Sequence, residues 1–575
     1  MEEIERQKSQ QDSTEVVVSQ PEQTEPVIAQ ADSSQVSESI DTNTVVQEVP
    51  EELVELSNNL LKLSITNKGG HIQEVELLDY KRYDSTDLIL FEEDQHRFAF
   101  EVPLKSSLFY SNDLTYQVGE KTDSSLTMVA THQGVTVTHY YGMTGGYQLD
   151  YRFMVDDPNK LLSTNNPYIT LNWSQELQPQ EKSVEKERTF SDIYYKYKGS
   201  NDPDNVGAAG SETEDLTTDL HWVSFKQKFF NSTIIFNQPT TDDGTNVDIE
   251  EPEEFVTSYV EVHKAEIPFE IPRAGSPAFD FTMYYGPNHY QTLKAMDVEL
   301  EEIIPLGWGI LSWVNKFAVI PIFNWLDDYF SNYGLIILIM TIIIKLVLFL
   351  PMYKVYVSTA KMRLLKPELD ELKEKTGGDM AKMQQEQMKL YKQAGVNPLG
   401  GCLPQLVQLP ILIALFRFFP ASIELRQESL WWADDLSTYD SILNLPFEIP
   451  FYGDHVSLFT LLMTAVTLLY TWMNSQISGA NNPSMKVVMY LMPIMFLGFF
   501  NNYAAALSYY YLLSTSITII QNFVIRKFII DEDKLHAQIQ ANKKKKVKVK
   551  KSGLMKRLED SAKKRGIDPY SGKKK

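Results

Sequence analysis

One lysine interrupts the apolar run "TIIIKLVLFLP" (Thr341 to Pro351). From Tyr333 to Met352 the run is long enough for a helix that crosses the apolar layer of a bilayer. A lysine at the centre of such a helix costs roughly 2.5–3.5 kcal/mol on insertion scales, while the Leu, Ile, Val and Phe around it return about 4–8 kcal/mol. The helix inserts with its charge in place. Thr341 lies one turn before Lys345, and other apolar runs carry polar side chains at helical spacing. Gln405 and Gln408 share one face, Thr460, Thr464, Thr467 and Thr471 a second, and Ser508, Tyr511, Thr515, Thr518 and Asn522 a third. Two plainer readings stand beside a functional one. Lys345 is roughly 10 Å from the cytoplasmic end of its helix, within reach of snorkelling, and hydroxyls bond back to helix carbonyls. Four stripes in five helices are better explained by a shared water-filled cavity. No Asp or Glu lies deep enough to pair with Lys345. The expectation is a hydrophilic, positively charged groove inside the bilayer.

The elements that must build this groove are five spans, at about 333–352, 403–420, 456–475, 487–503 and 504–525, within a core of residues 332–526. Between the first two, 353–402 reads as a helical hairpin turning at Thr376-Gly377-Gly378, with Pro367 at a helix start and Gly395 at a helix stop. Leu369 and Leu372 are placed to face Met380, Met383 and Leu390. Ahead of the core, residues 51–304 alternate β-branched and aromatic residues with Gly, Asn, Asp and Pro, the pattern of an all-β sandwich of antiparallel sheets. The acidic stretch 199–219 reads as an exposed loop. Residues 305–331, apolar, rich in tryptophan and broken by Asn315, Lys316 and Pro321, suit an amphipathic helix at the membrane surface. Residues 1–50 hold 11 acidic and 2 basic residues and no aromatics, the composition of a disordered linker.

Charge orients the whole. The formal net charge is −23, yet residues 526–575 carry 18 Lys and Arg against 6 Asp and Glu. The loop 353–402 is basic as well, whereas 421–454 has one arginine, Arg426, and seven acidic residues. The positive-inside rule therefore puts the loop and the basic tail, 527–575, in the cytoplasm and residues 1–330 outside it. No export signal precedes the β region, so a further apolar helix before Met1 is expected. The single cysteine, Cys402, leaves no intrachain disulfide, and no metal-ligand set or phosphate-binding GxxxxGK is visible; no cofactor is expected.

The segments "MAKMQQEQMKLYKQAGVNPLGGCLPQLVQLPILIALFRFF", "SIELRQESLWWADDLS" and "SITIIQNFVIRK" resemble the YidC/Oxa/Alb family of membrane protein insertases, with Val396 to Ile411 the most specific part. The resemblance runs from about Phe281 to Arg526, and the β region is similar, more loosely, to the periplasmic β-supersandwich of Gram-negative members. It implies a polytopic α-helical protein of the bacterial inner membrane that receives nascent membrane proteins in a groove open to cytoplasm and lipid, without nucleotide. The first span usually carries an arginine; the matching position here is Lys345, which keeps the charge but loses the planar fork. Thr341, Gln408, Tyr510 and Tyr511 match other groove positions, and Gln405 and Thr515 line the same faces. Partners implied are the Sec translocon, the lipid bilayer, and a ribosome met by the Lys-rich tail, whose phosphates need only charge.

Two other functions fit parts of the chain. A transporter would use Lys345 as an anion site, but no internal repeat is seen. A carbohydrate-active β domain would need a site, yet His132 and His139, seven apart in one expected strand, point to opposite faces, and Glu187 and Asp192 have no visible partner.

Overall fold

The computed structural model describes residues 50–544 except 106, 157–166, 208–209, 242–243, 254–255, 273–275, 378, 397–402 and 476–482. The acidic linker, the Lys-rich tail beyond 544 and Cys402 lie outside these residues, as does the side chain of Gln405.

Three antiparallel sheets make the β domain. A four-stranded meander comes first, Leu53–Ser57, Leu61–Thr66, Ile72–Lys81 and Asp87–Phe91. A nine-stranded and a six-stranded sheet follow. In the six-stranded sheet, Tyr168–Glu176 alternates exposed or half-buried with buried residues along its whole length, the period of two that turns one face inward. Its Trp173 stacks on Phe225 of the nine-stranded sheet at 3.6 Å between ring centres, and Phe100 stacks on Phe153 at 3.9 Å. These two sheets therefore share one aromatic core, as a sandwich requires.

Several expectations change here. The acidic stretch is not one loop: Asp204–Asn205 pairs with Asp192–Tyr197, where Asn205 donates to the Asp192 carboxylate, and Glu212–Leu216 pairs with Thr245–Glu250, where Thr213 and Asn246 each find a carboxylate across the pairing. His132 and His139 lie in separate strands, Ser125–His132 and Val135–Gly145, divided by a turn at Gln133 and Gly134, which both adopt positive φ. His139 is a core residue. Tyr116 donates to Ser111 O, so its oxygen accepts from His139 Nε2 at 2.9 Å, leaving Nδ1 to accept from Tyr151 at 2.7 Å. Burial pushes the imidazole down to about 3, so it stays neutral.

Eight longer helices form the second half: α1 (Tyr333–Leu364), α2 (Lys366–Lys375), α3 (Met380–Ala394), α4 (Leu403–Ala421), α5 (Leu458–Ser475), α6 (Pro483–Asn501), α7 (Ala505–Val524) and α8 (Glu532–Lys544). Among the described residues no single helix is long and apolar enough to cross a membrane; α7, extended to Ile529, and α8 together qualify by length and composition, bent by 80°. Asn332 caps α1, accepting from Leu335 N at 2.9 Å. α1 runs twelve residues past the expected end at Met352, through Pro351, so the helical hairpin begins at Lys366. Leu369 there packs against Tyr391, Ala394 and Val396, with Leu372 and Leu390 at the margin. Ile539 of α8 completes this cluster, Lys543 meets Glu368 at 2.5 Å and Asn542 donates to Ala394 O at 3.2 Å. The start of the basic tail is thus a helix on the hairpin.

The expected interfacial helix is two short ones, Ile310–Val314 and Ile320–Asp327, joined by a π-turn over Asn315–Val319. Asn315 is buried and donates to Leu306 O and Ala414 O, at 2.8 and 2.9 Å, which holds the turn on α4. Trp308, Trp313, Phe317, Trp325 and Tyr329 are left bare on the outside.

Candidate functional site

Lys345 lies thirteen residues into α1 and is only 6 % exposed. Its Nζ donates to Gln408 Oε1 of α4 at 3.0 Å and to Thr518 Oγ1 of α7 at 2.9 Å. The chemistry of the donor fixes the rest. An ammonium only donates, so the Gln408 amide must turn its oxygen toward Lys345 and its Nε2 away. Nε2 then donates to Ser514 Oγ at 2.9 Å. Thr518 sends its own proton back to Ser514 O at 2.8 Å, which frees its lone pairs for the lysine. Ser514 and Thr518 are one turn apart on α7 and therefore share a face. One charge and three neutral polar side chains pin α1, α4 and α7 together.

Among the described residues no carboxylate pairs with Lys345. What differs is its surroundings. An unpaired ammonium was expected where water reaches it; protein oxygens take that place, because α4 and α7 close around α1 at this level. The other stripes divide. Thr341 is fully buried and bonds back to Ile337 O at 2.6 Å, and Thr467 to Met463 O at 2.7 Å, the plainer use of a helical hydroxyl. Thr460 is shared between helices, bonding Ser508 of α7 at 3.0 Å, whereas the buried Thr464 hydroxyl has no partner among the described residues. Thr515 is buried, Tyr511 half-buried against Phe500, and Tyr510 fully buried beside Phe419. Ser514 is not among the residues expected from the sequence, although its four-residue offset from Thr518 places it on the same polar face.

At the end of the helical region away from the β domain a cleft of about 480 Å³ opens between the ends of α1, α5 and α7, lined by Tyr356, Thr359, Arg363, Tyr470, Asn522 and Arg526 among others. Arg363, Lys366 and Arg526 outnumber the one acidic residue of its lining, Glu532, so the walls carry a net charge of the same sign as the buried lysine. At the opposite end the loop between α4 and α5 is fastened to the β domain. Arg426 Nε donates to Glu181 Oε1 at 2.6 Å, both side chains being buried, and Gln427 donates to the carbonyls of Lys81 and Arg82 at 3.0 and 2.8 Å. Glu187 and Asp192, without visible partners in the sequence, are structural. Glu187 accepts from the N–H groups of Gln180 and Glu181 at 3.1 and 3.2 Å, and Asp192 from Asn205 and Gly207 at 2.6 and 3.1 Å.

Residues 53–320 match the family model of the YidC periplasmic domain, and residues 325–533 that of the 60Kd inner membrane protein. The membrane protein insertase YidC of Parabacteroides distasonis is 38 % identical over 536 residues, covering 89 % of this chain and 83 % of its own. The chain belongs to the YidC family of membrane protein insertases. The YidC of Bacteroides fragilis is 36 % identical over 97 % of this chain and 92 % of its own. A solved YidC insertase with its first transmembrane domain resolved aligns over 83 % of this chain and 93 % of its own, at 16 % identity and a TM-score of 0.35, a likeness too weak to weigh further. YidC membership makes the β half a periplasmic domain and the homologues inner-membrane proteins.

Proposed function

We propose that this chain is a nucleotide-independent insertase whose polar site around Lys345 receives the hydrophilic, often acidic, outer segment of an incoming membrane protein. The observation that carries this is the buried Lys345 ammonium held, among the described residues, by Gln408 and Thr518 and by no carboxylate. Neutral oxygens solvate the charge without cancelling it, and a carboxylate adds an opposite charge whose attraction is far stronger in buried surroundings than in water. An arriving Asp or Glu displaces Gln408 or Thr518 and gains by doing so. The substrate's apolar helix meanwhile leaves along the lipid-facing side of α1 and α7, and its burial in lipid supplies the free energy. In this reading α1, α4, α5, α6 and α7 are the five spans, the cytoplasmic cleft is the entrance, α2 and α3 receive the substrate first, and the basic C-terminus lies in the cytoplasm. The ribosome, met by the tail, and the Sec translocon are partners in the same reading.

Insertion of a small substrate with an acidic outer segment, measured by protease protection in vesicles, tests it. Lys345→Ala is expected to abolish insertion and Lys345→Arg to retain it. Equal insertion by the alanine variant overturns the proposal.

A further inference from the structure

The loop between α4 and α5 contains a two-stranded hairpin, Leu443–Ile449 and Gly453–Val456, that no other strand among the described residues joins. Its first strand, Leu-Asn-Leu-Pro-Phe-Glu-Ile, alternates apolar and other residues, the signature of a strand with one face to bury. The chain buries little of it. Phe447 is 61 % exposed and Phe451, at the turn, 100 %, and Ile442, Leu443 and Ile449 are exposed beside them. A two-stranded hairpin alone is marginal in water, and this one presents five bare apolar side chains.

Its position says what covers it. Asn501, at the end of α6, donates to the carbonyls of Tyr452 and His455, each at 2.9 Å, and His455 Nε2 lies 2.9 Å from Asn501 O. The turn rests directly on α6. A Cβ placed on Gly498 would stand 2.5 Å from Phe451 O, so only glycine admits this approach. Phe451 is thereby held about one turn inside the end of α6, beside a helix that exposes Met492, Ile494, Met495, Phe496 and Phe499. Behind the hairpin a cleft of about 570 Å³ is rimmed by Lys182, Glu185, Lys186 and Glu448, groups that belong in water or among headgroups.

We propose that the apolar side of this hairpin enters the periplasmic leaflet of the bilayer, so that Phe447 and Phe451 anchor the α4–α5 loop in lipid continuously with the outer face of α6. The inference rests on the reading of α6 as a lipid-facing span. Lipid, rather than a protein partner, is favoured by that placement: the turn that carries Phe451 lies against Gly498 of a helix whose other residues there, Met495 and Phe499, are bare and apolar.

The test uses the full chain with Cys402→Ser and an environment-sensitive fluorophore at one position at a time: Phe447→Cys, Phe451→Cys, Met495→Cys on α6, or Thr122→Cys on the β domain. Each labelled protein is reconstituted in phosphatidylethanolamine–phosphatidylglycerol vesicles. Doxyl-labelled lipid is expected to quench positions 447, 451 and 495, and aqueous iodide to quench 122 alone. Quenching of 451 by iodide, with 495 quenched by lipid, overturns the inference and leaves the span reading intact. Protection of 451 from both quenchers overturns it in favour of a protein cover. Quenching of 495 by iodide defeats the span reading and the inference with it.

Discussion

Arg426 and Lys345 are both buried cations, and the molecule treats them in opposite ways. Arg426, where the α4–α5 loop meets the β domain, is paired with Glu181 at 2.6 Å, donates to Gln180 O at 3.2 Å and lies over the Phe230 ring. Lys345, among α1, α4 and α7, meets neutral oxygens and, among the described residues, no carboxylate. A buried cation with its carboxylate is finished chemistry: its charge is cancelled and its partner would be stranded if it left. A buried cation held by an amide and a hydroxyl retains a field that an incoming carboxylate can answer. The first fastens two halves of a protein together; the second leaves a demand unmet.

The contrast is broken most severely by Arg426→Ala. It strands Glu181 beside Glu187 and is expected to destabilise the folded protein by about 3–5 kcal/mol, read from thermal or denaturant unfolding in detergent. Unfolding that is unchanged within error would reduce this latch to decoration. Next in size is a pH effect. Burial, and then the nearby Glu181 charge, push the Glu187 carboxyl up to about 8 from 4.5. The folded state therefore binds this proton more tightly than the unfolded chain does. Its contribution is fully favourable below the unfolded value, and stability falls as pH rises from there through about 8. A tenfold difference in proton affinity is worth about 1.4 kcal/mol, so Glu187→Gln is expected to remove a few kcal/mol of that pH-dependent loss across the window; an unchanged pH dependence assigns the effect elsewhere.

On the helical side the sign reverses. Lys345→Met removes a buried charge that no acid cancels, and is expected to leave stability unchanged or raise it by about 1 kcal/mol or more while insertion is lost. A loss of stability comparable to that of Arg426→Ala would make Lys345 a structural residue. Smallest is Ser514→Ala, which leaves Gln408 Nε2 without its acceptor at a cost of about 1 kcal/mol. Because it loosens only the residue that positions the lysine, partial insertion is expected to survive.

Much of this was legible in the residues. Lys345 stands out because charge in an apolar run is costly, and the α7 stripe is visible because helical spacing projects a face. The β class followed from alternation, as in Tyr168–Glu176. Periodicity stops at the face, however. It showed that Gln408 and Thr518 look inward, but not that they meet the same ammonium, or that Ser514 completes the set. It gave no warning of the strands within the acidic stretch 199–219, where cross-strand carboxylate contacts offset a composition that otherwise reads as loop. Nor did Pro351 end α1, although proline usually breaks a helix interior.

The sequence by itself determined which segments are apolar, where charge is affordable and which faces are polar, since these depend on neighbours within a turn or a strand. Tertiary structure alone decided which faces meet. Lys345 and Thr518 are 173 residues apart, and Arg426 and Glu181 are 245 apart. The partner of a buried charge is set by how helices and sheets pack across such separations, and no local pattern records it.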